Sequence, residues 1–257
     1  MTYQFLVLFL PLFTAHILAD FTLQTDLDVR WKTRPRVLFK HVLIVAVLSY
    51  LLLGILRAWA LILILALSHA LFDYIKTRYA QDRLLFFVVD QLAHLAVIIA
   101  TVLVLTSMNL QPHPIAPGSI LGRAFYVLCA LLTGIIITVR VGGITVGYAV
   151  RPLLEELEEH AEEARGENVV SPLERGFEEG GRIIGYLERA LILLFVLVNQ
   201  PTGVGFLIAA KSIFRFGELS DSSRRMEAEY IIIGTLYSFL FGLVSAYGLR
   251  WVLALLT

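Results

Sequence analysis

Residues 84–106 read LLFFVVDQLAHLAVIIATVLVLT, a long apolar run interrupted mainly by Asp90, Gln91 and His94. A helix needs about 20 apolar residues to cross a bilayer, so this run is long enough for one span. Comparable runs recur along the chain, which is 58% hydrophobic and has a mean hydropathy of +0.79. Soluble domains have a lower apolar content. We therefore predict an all-α integral membrane protein.

Eight apolar segments qualify as candidate transmembrane helices, although the seventh is short for a complete span. Their bounds are 3–20, 38–56, 59–79, 84–106, 120–140, 183–199, 204–216 and 229–249. The sequence thus predicts about 7–8 transmembrane helices. We interpret the first segment as a retained helix rather than a cleaved signal peptide, because it has no basic residues before it and contains His16.

The predicted domain organisation has four parts. These are a four-helix metal-site module over 1–106, a connecting transmembrane helix over 107–150, a cytoplasmic amphipathic helix and loop over 151–182, and a C-terminal transmembrane module over 183–257. The third part is strongly acidic, and its His160 is expected to be solvated.

The basic residues indicate the side of the membrane on which each loop lies. Of the 21 Lys and Arg residues, only Arg57, Arg123 and Arg250 fall on one side of the predicted spans. The side rich in Lys and Arg is normally cytoplasmic, so the N-terminus is predicted to lie outside. Composition also excludes some classes of site. The single Cys129 permits no intramolecular disulfide and no zinc site made of cysteines. The zero net charge and the lack of a basic, aromatic-rich patch predict no nucleic-acid partner.

Three predicted helices each carry a histidine and an aspartate four residues apart. The pairs are His16 with Asp20, His69 with Asp73, and Asp90 with His94. Residues four apart share one face of a helix, so each pair directs an imidazole and a carboxylate toward one point. In the predicted orientation the three pairs, together with His41 at the start of span 2, lie toward the cytoplasmic side of spans 1 to 4. This shared depth predicts one common site.

A divalent metal ion is the cofactor that this set of side chains favours. Zinc binds imidazole nitrogen and carboxylate oxygen, and manganese and iron accept the same mixture, so we expect one or two ions with zinc favoured. Three aspartates cost about 7.5–10.5 kcal/mol at helix centres, and a structural zinc site yields about 10–16 kcal/mol. The predicted ligands are His16, Asp20, His69, Asp73, Asp90 and His94, with His41 as an additional candidate. Any of the aspartates could instead orient a ligating histidine.

Two alternatives stay open for these pairs. His and Asp chains also conduct protons or ions in membrane proteins, and polar side chains also join helices by hydrogen bonds. A conducting path would continue to the outer side, whereas the outer halves of spans 1 to 4 are nearly all Leu, Ile, Val, Ala and Phe. We therefore rank a proton, ion or small-anion transporter or channel below a metal site.

Candidate substrate-binding residues occur in both halves of the chain. Gln24 and Lys40 lie near the first pair, and Lys211 and Arg215 lie four residues apart near the C-terminus. The cationic side chains could bind an anionic headgroup. Alternatively, Lys40 belongs to an ordinary positive-inside loop, and Lys211 and Arg215 form an ion-pair network with Glu188 or Glu229.

The motifs that carry these residues also resemble a known family. HILADF at 16–21 with Gln24, SHALFD at 68–73 and DQLAH at 90–94 resemble an uncharacterised family of bacterial polytopic inner-membrane proteins. The resemblance covers most of residues 10–100, and the stretches 205–213 and 229–236 resemble the second half of longer members. This family is more distantly similar to membrane-bound metal-dependent hydrolases. The resemblance implies a metal-dependent hydrolase in a bacterial inner membrane.

The leading functional hypothesis is therefore a membrane-embedded, metal-dependent hydrolase that acts on a lipid-like ester or phosphoester at the cytoplasmic leaflet. Asp20 and Asp90 are the candidate catalytic bases. The expected partners are membrane lipids and a lipid or amphiphile substrate, and a homodimer is left open. A scaffold that recruits partners through the acidic helix is a third class of function.

Overall fold

The computed structural model describes residues 2–79, 83–110, 119–163, 179–219 and 225–256, and every regular element in these ranges is helical. The predicted all-α class is confirmed. The chain divides into two compact units, the first made of residues 1–136 with 251–257 and the second of residues 137–250. Each unit is described separately below.

The first unit is a bundle of five long helices and one short one. Its elements are α1 (Thr2–Leu18) with a π-helical turn (Ala19–Leu23), α2 (Asp26–Arg30), α3 (Pro35–Leu53), a 3-10 turn (Leu56–Ala58), α4 (Trp59–Tyr79), α5 (Leu84–Ser107) and α6 (Ile120–Ile136). Helix α1 packs against α3, α5 and α6, while α3 packs against α4 and α4 against α5. The core between these helices is apolar and includes Leu8, Leu12, Val45, Ile98 and Val102.

Local sequence signals explain how α3 and α4 form an antiparallel hairpin. Pro35 occupies the first turn of α3, where its missing N–H costs nothing. Gly54 follows the end of α3 with φ 67°, and its N–H donates to the carbonyl of Tyr50. This left-handed conformation favours glycine, so the helix ends sharply and α4 can begin after a short link.

The second unit contains α7 (Gly142–Glu163), α8 (Gly180–Leu197), α9 (Thr202–Leu219) and most of α10 (Arg225–Leu256), preceded by a π-helical turn (Ile137–Val141). Its most buried charges lie on α8. Arg189 donates from Nε to the carbonyl of Val139 at 3.2 Å and from Nη1 to Oγ of Ser238 at 2.9 Å. A Cβ atom at Gly142 would lie 3.0 Å from Cδ of Arg189, and one at Gly143 would lie 2.9 Å from its Nη2. Glycine at these two positions therefore lets the Arg189 side chain pack closely against α7.

Within the described ranges, six helical stretches are long and apolar enough to cross a membrane. They are Gln4–Leu23, Pro35–Leu53, Leu56–Tyr79, Leu84–Ser107, Ile120–His160 and Met226–Leu256. The number differs from the predicted seven or eight for two reasons. The predicted span 183–199 corresponds to α8, which carries Arg182, Glu188 and Arg189. The predicted span 204–216 corresponds to a shorter apolar stretch, Thr202–Ile213.

The predicted cytoplasmic amphipathic helix and loop over 151–182 is described only in part. Its residues up to His160 belong to the fifth helical stretch, Ile120–His160, and its cytoplasmic location stays a prediction. Pro152 lies inside α7 without ending it. His160 is exposed on this helix, and residues 164–178 of the predicted segment lie outside the described part of the chain.

Candidate metal centre

Four helices of the first unit bring the predicted ligands together. His16 and Asp20 lie at the end of α1 and in the following π-helical turn, and His41 lies near the start of α3. The remaining members are His69 and Asp73 on α4 and Asp90 and His94 on α5. All seven side chains are at most 8% exposed.

Four donor atoms converge at the centre of this group, and we call their residues the inner quartet: Asp20, His41, His69 and Asp73. His41 Nε2 lies 3.0 Å from His69 Nε2. Asp20 Oδ1 lies 3.3 Å from His41 Nε2 and 3.4 Å from His69 Nε2. Asp73 Oδ2 lies 3.4 Å from each of the same two nitrogens. Two imidazoles and two carboxylates thus present one atom each to a common point.

These separations fit a tetrahedral metal ion. Bonds of about 2.0–2.1 Å to zinc place tetrahedral ligand atoms about 3.3–3.4 Å apart. The five separations that involve His41 Nε2 or His69 Nε2 are 3.0–3.4 Å and are close to this edge length. The contacts of the two histidines are therefore compatible with a tetrahedral ion.

Hydrogen bonding alone does not satisfy the quartet. One imidazole N–H can donate to the other imidazole across 3.0 Å. Asp20 Oδ1 and Asp73 Oδ2 nevertheless have no hydrogen-bond partner among the described residues, although both are buried. An unpaired buried carboxylate oxygen is costly, and a divalent cation between the four atoms would satisfy all of them.

Neighbouring side chains and backbone hold the quartet in place. Lys32 Nζ lies 2.7 Å from Asp73 Oδ1, which leaves Oδ2 directed at the histidines. Lys32 is itself only 7% exposed, and Gln24 Oε1 lies 3.5 Å from its ammonium. Asp20 lies in the π-helical turn Ala19–Leu23, a wider helical turn that is frequent at functional sites.

Asp90 and His94 lie beside the quartet, and each retains one unpartnered atom. Lys76 Nζ lies 2.7 Å from Asp90 Oδ2, and Gln91 Nε2 donates to the same oxygen at 3.0 Å. His94 Nδ1 donates to the backbone carbonyl of Asp90 at 2.8 Å, which leaves the lone pair on Nε2. Within the described ranges, Asp90 Oδ1 and His94 Nε2 are buried without a hydrogen-bond partner.

His16 is the most peripheral of the histidines. Its Nε2 lies 3.3 Å from Gln91 Oε1, and its Nδ1 lies 3.7 Å from Asp20 Oδ1. Because Gln91 donates through its amide nitrogen to Asp90, its oxygen is the group that accepts from His16. A small cavity of about 10 Å³ is lined by His16, His69, His94 and Ser68, together with apolar side chains. This volume is sufficient for about one water molecule.

The structure does not bring all predicted substrate-binding residues to this cluster. Gln24 lies beside Lys32, and its Nε2 is buried with no partner in the described structure. Lys40 instead forms an exposed pair with Asp28 at 3.1 Å. Lys211 pairs with Glu188 at 2.7 Å in the second unit. The side chain of Arg215 lies outside the described part of the chain.

The pair formed by Lys40 and Asp28 belongs to the cap of α2. Asp28 and Thr25 form a capping box at the start of that helix. The backbone N–H of Thr25 and the ammonium of Lys40 both donate to the Asp28 carboxylate and hold its pKa below the usual value. Lys40 therefore has a local structural contact that accounts for its position.

Two lysines that contact buried carboxylates, Lys32 and Lys76, were not among the predicted site residues. Each holds one oxygen of a buried carboxylate at 2.7 Å. Lys76 lies three residues after Asp73 on α4, a same-face spacing that could have indicated it. Lys32 follows α2 in a turn, where no periodic pattern points to Asp73.

Comparison with known proteins adds one match. Residues 8–115 match the sequence model of a family described as "Protein of unknown function (DUF3307)". This stretch contains all seven clustered His and Asp residues. The match agrees with the resemblance to an uncharacterised family, whereas similarity to hydrolases and a bacterial origin stay predictions. No curated protein and no solved structure matches the chain.

Proposed function

We propose that this chain is a multi-pass membrane protein that binds a divalent metal ion at the inner quartet and hydrolyses an ester or phosphoester bond in a lipid-like substrate. The observation that carries the proposal is the position of Asp20 Oδ1 and Asp73 Oδ2, each 3.3–3.4 Å from both His41 Nε2 and His69 Nε2, which lie 3.0 Å from each other. Both carboxylate oxygens in this set are buried and lack a hydrogen-bond donor in the described structure.

Zinc is the ion that we assign to the quartet. Two imidazoles and two carboxylates form a mixed nitrogen and oxygen set that zinc binds in tetrahedral geometry. Manganese and iron accept the same donors but more often bind additional ligands in octahedral geometry. The mixed nitrogen and oxygen donors therefore make zinc the first ion to test.

Four protein ligands would fill a tetrahedral ion, whereas chemistry on a substrate needs an open position on the metal. A divalent ion with such a position would polarise a carbonyl or phosphoryl oxygen and lower the pKa of bound water. Asp90 and His94 supply the nearest unpartnered acceptor atoms, and Lys76 adds a positive charge beside them. Of the two predicted catalytic bases, we therefore assign Asp20 to metal binding and Asp90 to proton transfer.

The position of the centre supports a substrate at the membrane surface. His16 and Asp20 lie at the end of α1 and in the turn after it, and His41 lies near the start of α3. Asp73 and Asp90 lie toward the ends of α4 and α5 that are adjacent in sequence, whereas His69 and His94 lie near the middle of these helices. The cluster therefore extends from one end of the bundle toward its middle, which supports a substrate that enters from that end. The distribution of Lys and Arg favours the cytoplasmic side of a bacterial inner membrane for this end.

Metal analysis of the full-length protein purified without chelator tests the metal centre. We expect a stoichiometric divalent ion in the wild type and its loss in His41→Ala and His69→Ala. His160→Ala is the matched control, because His160 is exposed and lies outside the cluster. Wild-type protein without stoichiometric metal would refute the proposal. Turnover of carboxyl-ester and phosphoester lipids by metal-loaded protein then tests the reaction.

A second candidate function is transport of a proton, a metal ion or a small anion. One observation favours it: four protein ligands saturate a tetrahedral ion, which is typical of sites that hold an ion without reacting. One opposes it, because the core that continues from the cluster along the bundle is apolar and includes Leu12, Val45 and Val102. Ion flux into liposomes that depends on Asp73 or Asp90, without lipid turnover, would reverse the ranking.

A further inference from the structure

Asp90 and His94 repeat the construction of the inner quartet on its α5 side. In the quartet, Lys32 holds one oxygen of Asp73 at 2.7 Å and leaves the other directed inward. In the same way, Lys76 holds Asp90 Oδ2 at 2.7 Å, and Asp90 Oδ1 has no partner in the described part of the chain. Both carboxylates are therefore fixed by a lysine and present a single free oxygen.

The tautomer of His94, the histidine of this second group, is also fixed by a hydrogen bond. His94 Nδ1 donates to the carbonyl of Asp90, so Nε2 is the basic nitrogen. His94 is 4% exposed, and its Nε2 is buried with no hydrogen-bond partner in the described structure. A metal ion can bind such a lone pair, and a hydrogen bond on the other ring nitrogen commonly fixes the tautomer of a ligating histidine.

The second group is adjacent to the first. Asp73, Asp90 and His94 each offer a donor atom within 4.8 Å of the other two. Asp73 is also a member of the inner quartet, with Oδ2 3.4 Å from His41 and His69. Sites with two ions about 3.5–4 Å apart commonly share a carboxylate in this way.

The net charge of the cluster makes it unfavourable for a second divalent ion to bind without an anion. Three carboxylates and two paired lysines leave one net negative charge when the imidazoles are neutral. One divalent ion makes the cluster net positive by one charge, and a second raises the excess to three. Such a charge is costly in a buried site unless an anion accompanies it. A phosphate group supplies the required negative charge and oxygen ligands.

We propose that Asp90 Oδ1 and His94 Nε2, with Asp73 shared, form a second divalent-cation site that fills together with a phosphate group. The inference rests on the proposed metal centre and narrows its substrate class from esters in general to phosphoesters. The phosphate group can come from a lipid headgroup or from free inorganic phosphate, and the experiment below separates these sources.

Binding linkage gives the proposal a measurable signature. If phosphate strengthens binding of the second ion by some factor, the ion strengthens phosphate binding by the same factor. Couplings of this kind are typically about 5- to 150-fold. The quartet ion should bind with or without phosphate, whereas the second ion should depend on it.

The test uses full-length protein in detergent, stripped of metal and equilibrated with micromolar zinc or cobalt. We expect one ion per chain without phosphate, and two with inorganic phosphate or with a short-chain phosphatidate. A response to phosphatidate alone would identify the headgroup as the source. Asp90→Asn and His94→Ala should stay at one ion throughout, and His160→Ala should behave as the wild type.

The outcomes separate this inference from the function on which it rests. Wild-type protein that keeps one ion under every condition would overturn the second site and leave the quartet intact. Variants of Asp90 and His94 that still reach two ions would also overturn it. Protein that binds no ion would refute the proposed function itself. Anomalous scattering from metal-loaded crystals gives an independent result, with two peaks about 3.5–4 Å apart expected and a single peak contradicting the inference.

Discussion

Replacing Asp73 by asparagine separates the two roles of this carboxylate. One oxygen pairs with Lys32 at 2.7 Å, and the other lies 3.4 Å from both quartet histidines. Asparagine keeps the shape of the side chain but removes its charge. The substitution therefore leaves Lys32 as an uncompensated cation whose side chain is only 8% exposed.

The expected cost follows from the burial of this pair. Removing one partner of a buried ion pair typically costs about 3–5 kcal/mol, because the remaining charge has no counterion. We expect Asp73→Asn to lower the free energy of unfolding of metal-free protein by that amount. The double variant Asp73→Asn with Lys32→Met removes both charges, so we expect it to recover most of the loss. Neither variant should bind the quartet ion normally, because the anionic ligand is missing in both.

Two measurements on the same preparations decide the outcome. Denaturant unfolding in detergent with a chelator gives the free energy, and elemental analysis of metal-loaded samples gives the ion content. Stability that recovers in the double variant while metal remains absent supports both roles. Wild-type ion content in Asp73→Asn would refute the assignment of Asp73 as a ligand, and no recovery in the double variant would refute the charge argument.

The remaining predictions address other parts of the chain. His41→Ala should remove the quartet ion, as judged by elemental analysis, whereas His160→Ala should retain it. Saturating zinc at about 100 times its dissociation constant should stabilise the wild type by about 2.7 kcal/mol, and His69→Ala should lose this response in thermal unfolding scans. Gly54→Ala should cost about 1–2 kcal/mol in denaturant unfolding, because alanine is strained at φ 67°. Glu188→Gln should destabilise the protein by about 1–3 kcal/mol, since the ammonium of Lys211 then loses its charged partner at 2.7 Å.

The place of His41 shows how much of the site could be predicted from sequence. It has no aspartate four residues away, so the pair pattern gave it less weight than the other histidines. His41 and His69 are nevertheless equally distant along the chain from residue 55, in the link between α3 and α4. An antiparallel hairpin with a short link places such residues level with each other. The predicted spans 38–56 and 59–79 put the link at residues 57–58, whereas α3 ends at Leu53, and only a count from residue 55 places His41 opposite His69.

The same symmetry extends to α4 and α5. Asp73 and Asp90, like His69 and His94, are equally distant from the middle of the link between these helices. The depth predicted from the Lys and Arg distribution agrees with this arrangement inside the first unit. A common depth does not determine how each helix is rotated about its own axis. This rotation decides which of the seven side chains belong to the inner quartet.

Other features had no signal in the sequence. The π-helical turn that carries Asp20 depends on how α1 packs, and its five residues have no distinctive composition. The contact between Lys32 and Asp73 joins a turn to a helix far along the chain. The predicted count of 7–8 spans differs from the six candidate stretches because α8 and α9 were judged by apolar length alone. Helix α8 also carries the buried charges Arg189 and Glu188, which make contacts within the second unit.

The distribution of the quartet over three helical segments also has a consequence for biosynthesis. Asp20 and His41 are synthesised first, but the ion cannot be enclosed until Asp73 has been added. At about 5–20 residues per second, roughly 3–10 s pass between Asp20 and Asp73. Under the proposed assignment, metal capture is a late event in the assembly of the first unit. In a cell with too little of the ion, chains would accumulate in which the first helices are synthesised but not held together by the metal. Under this assignment, metal binding would also control the completion of the first unit.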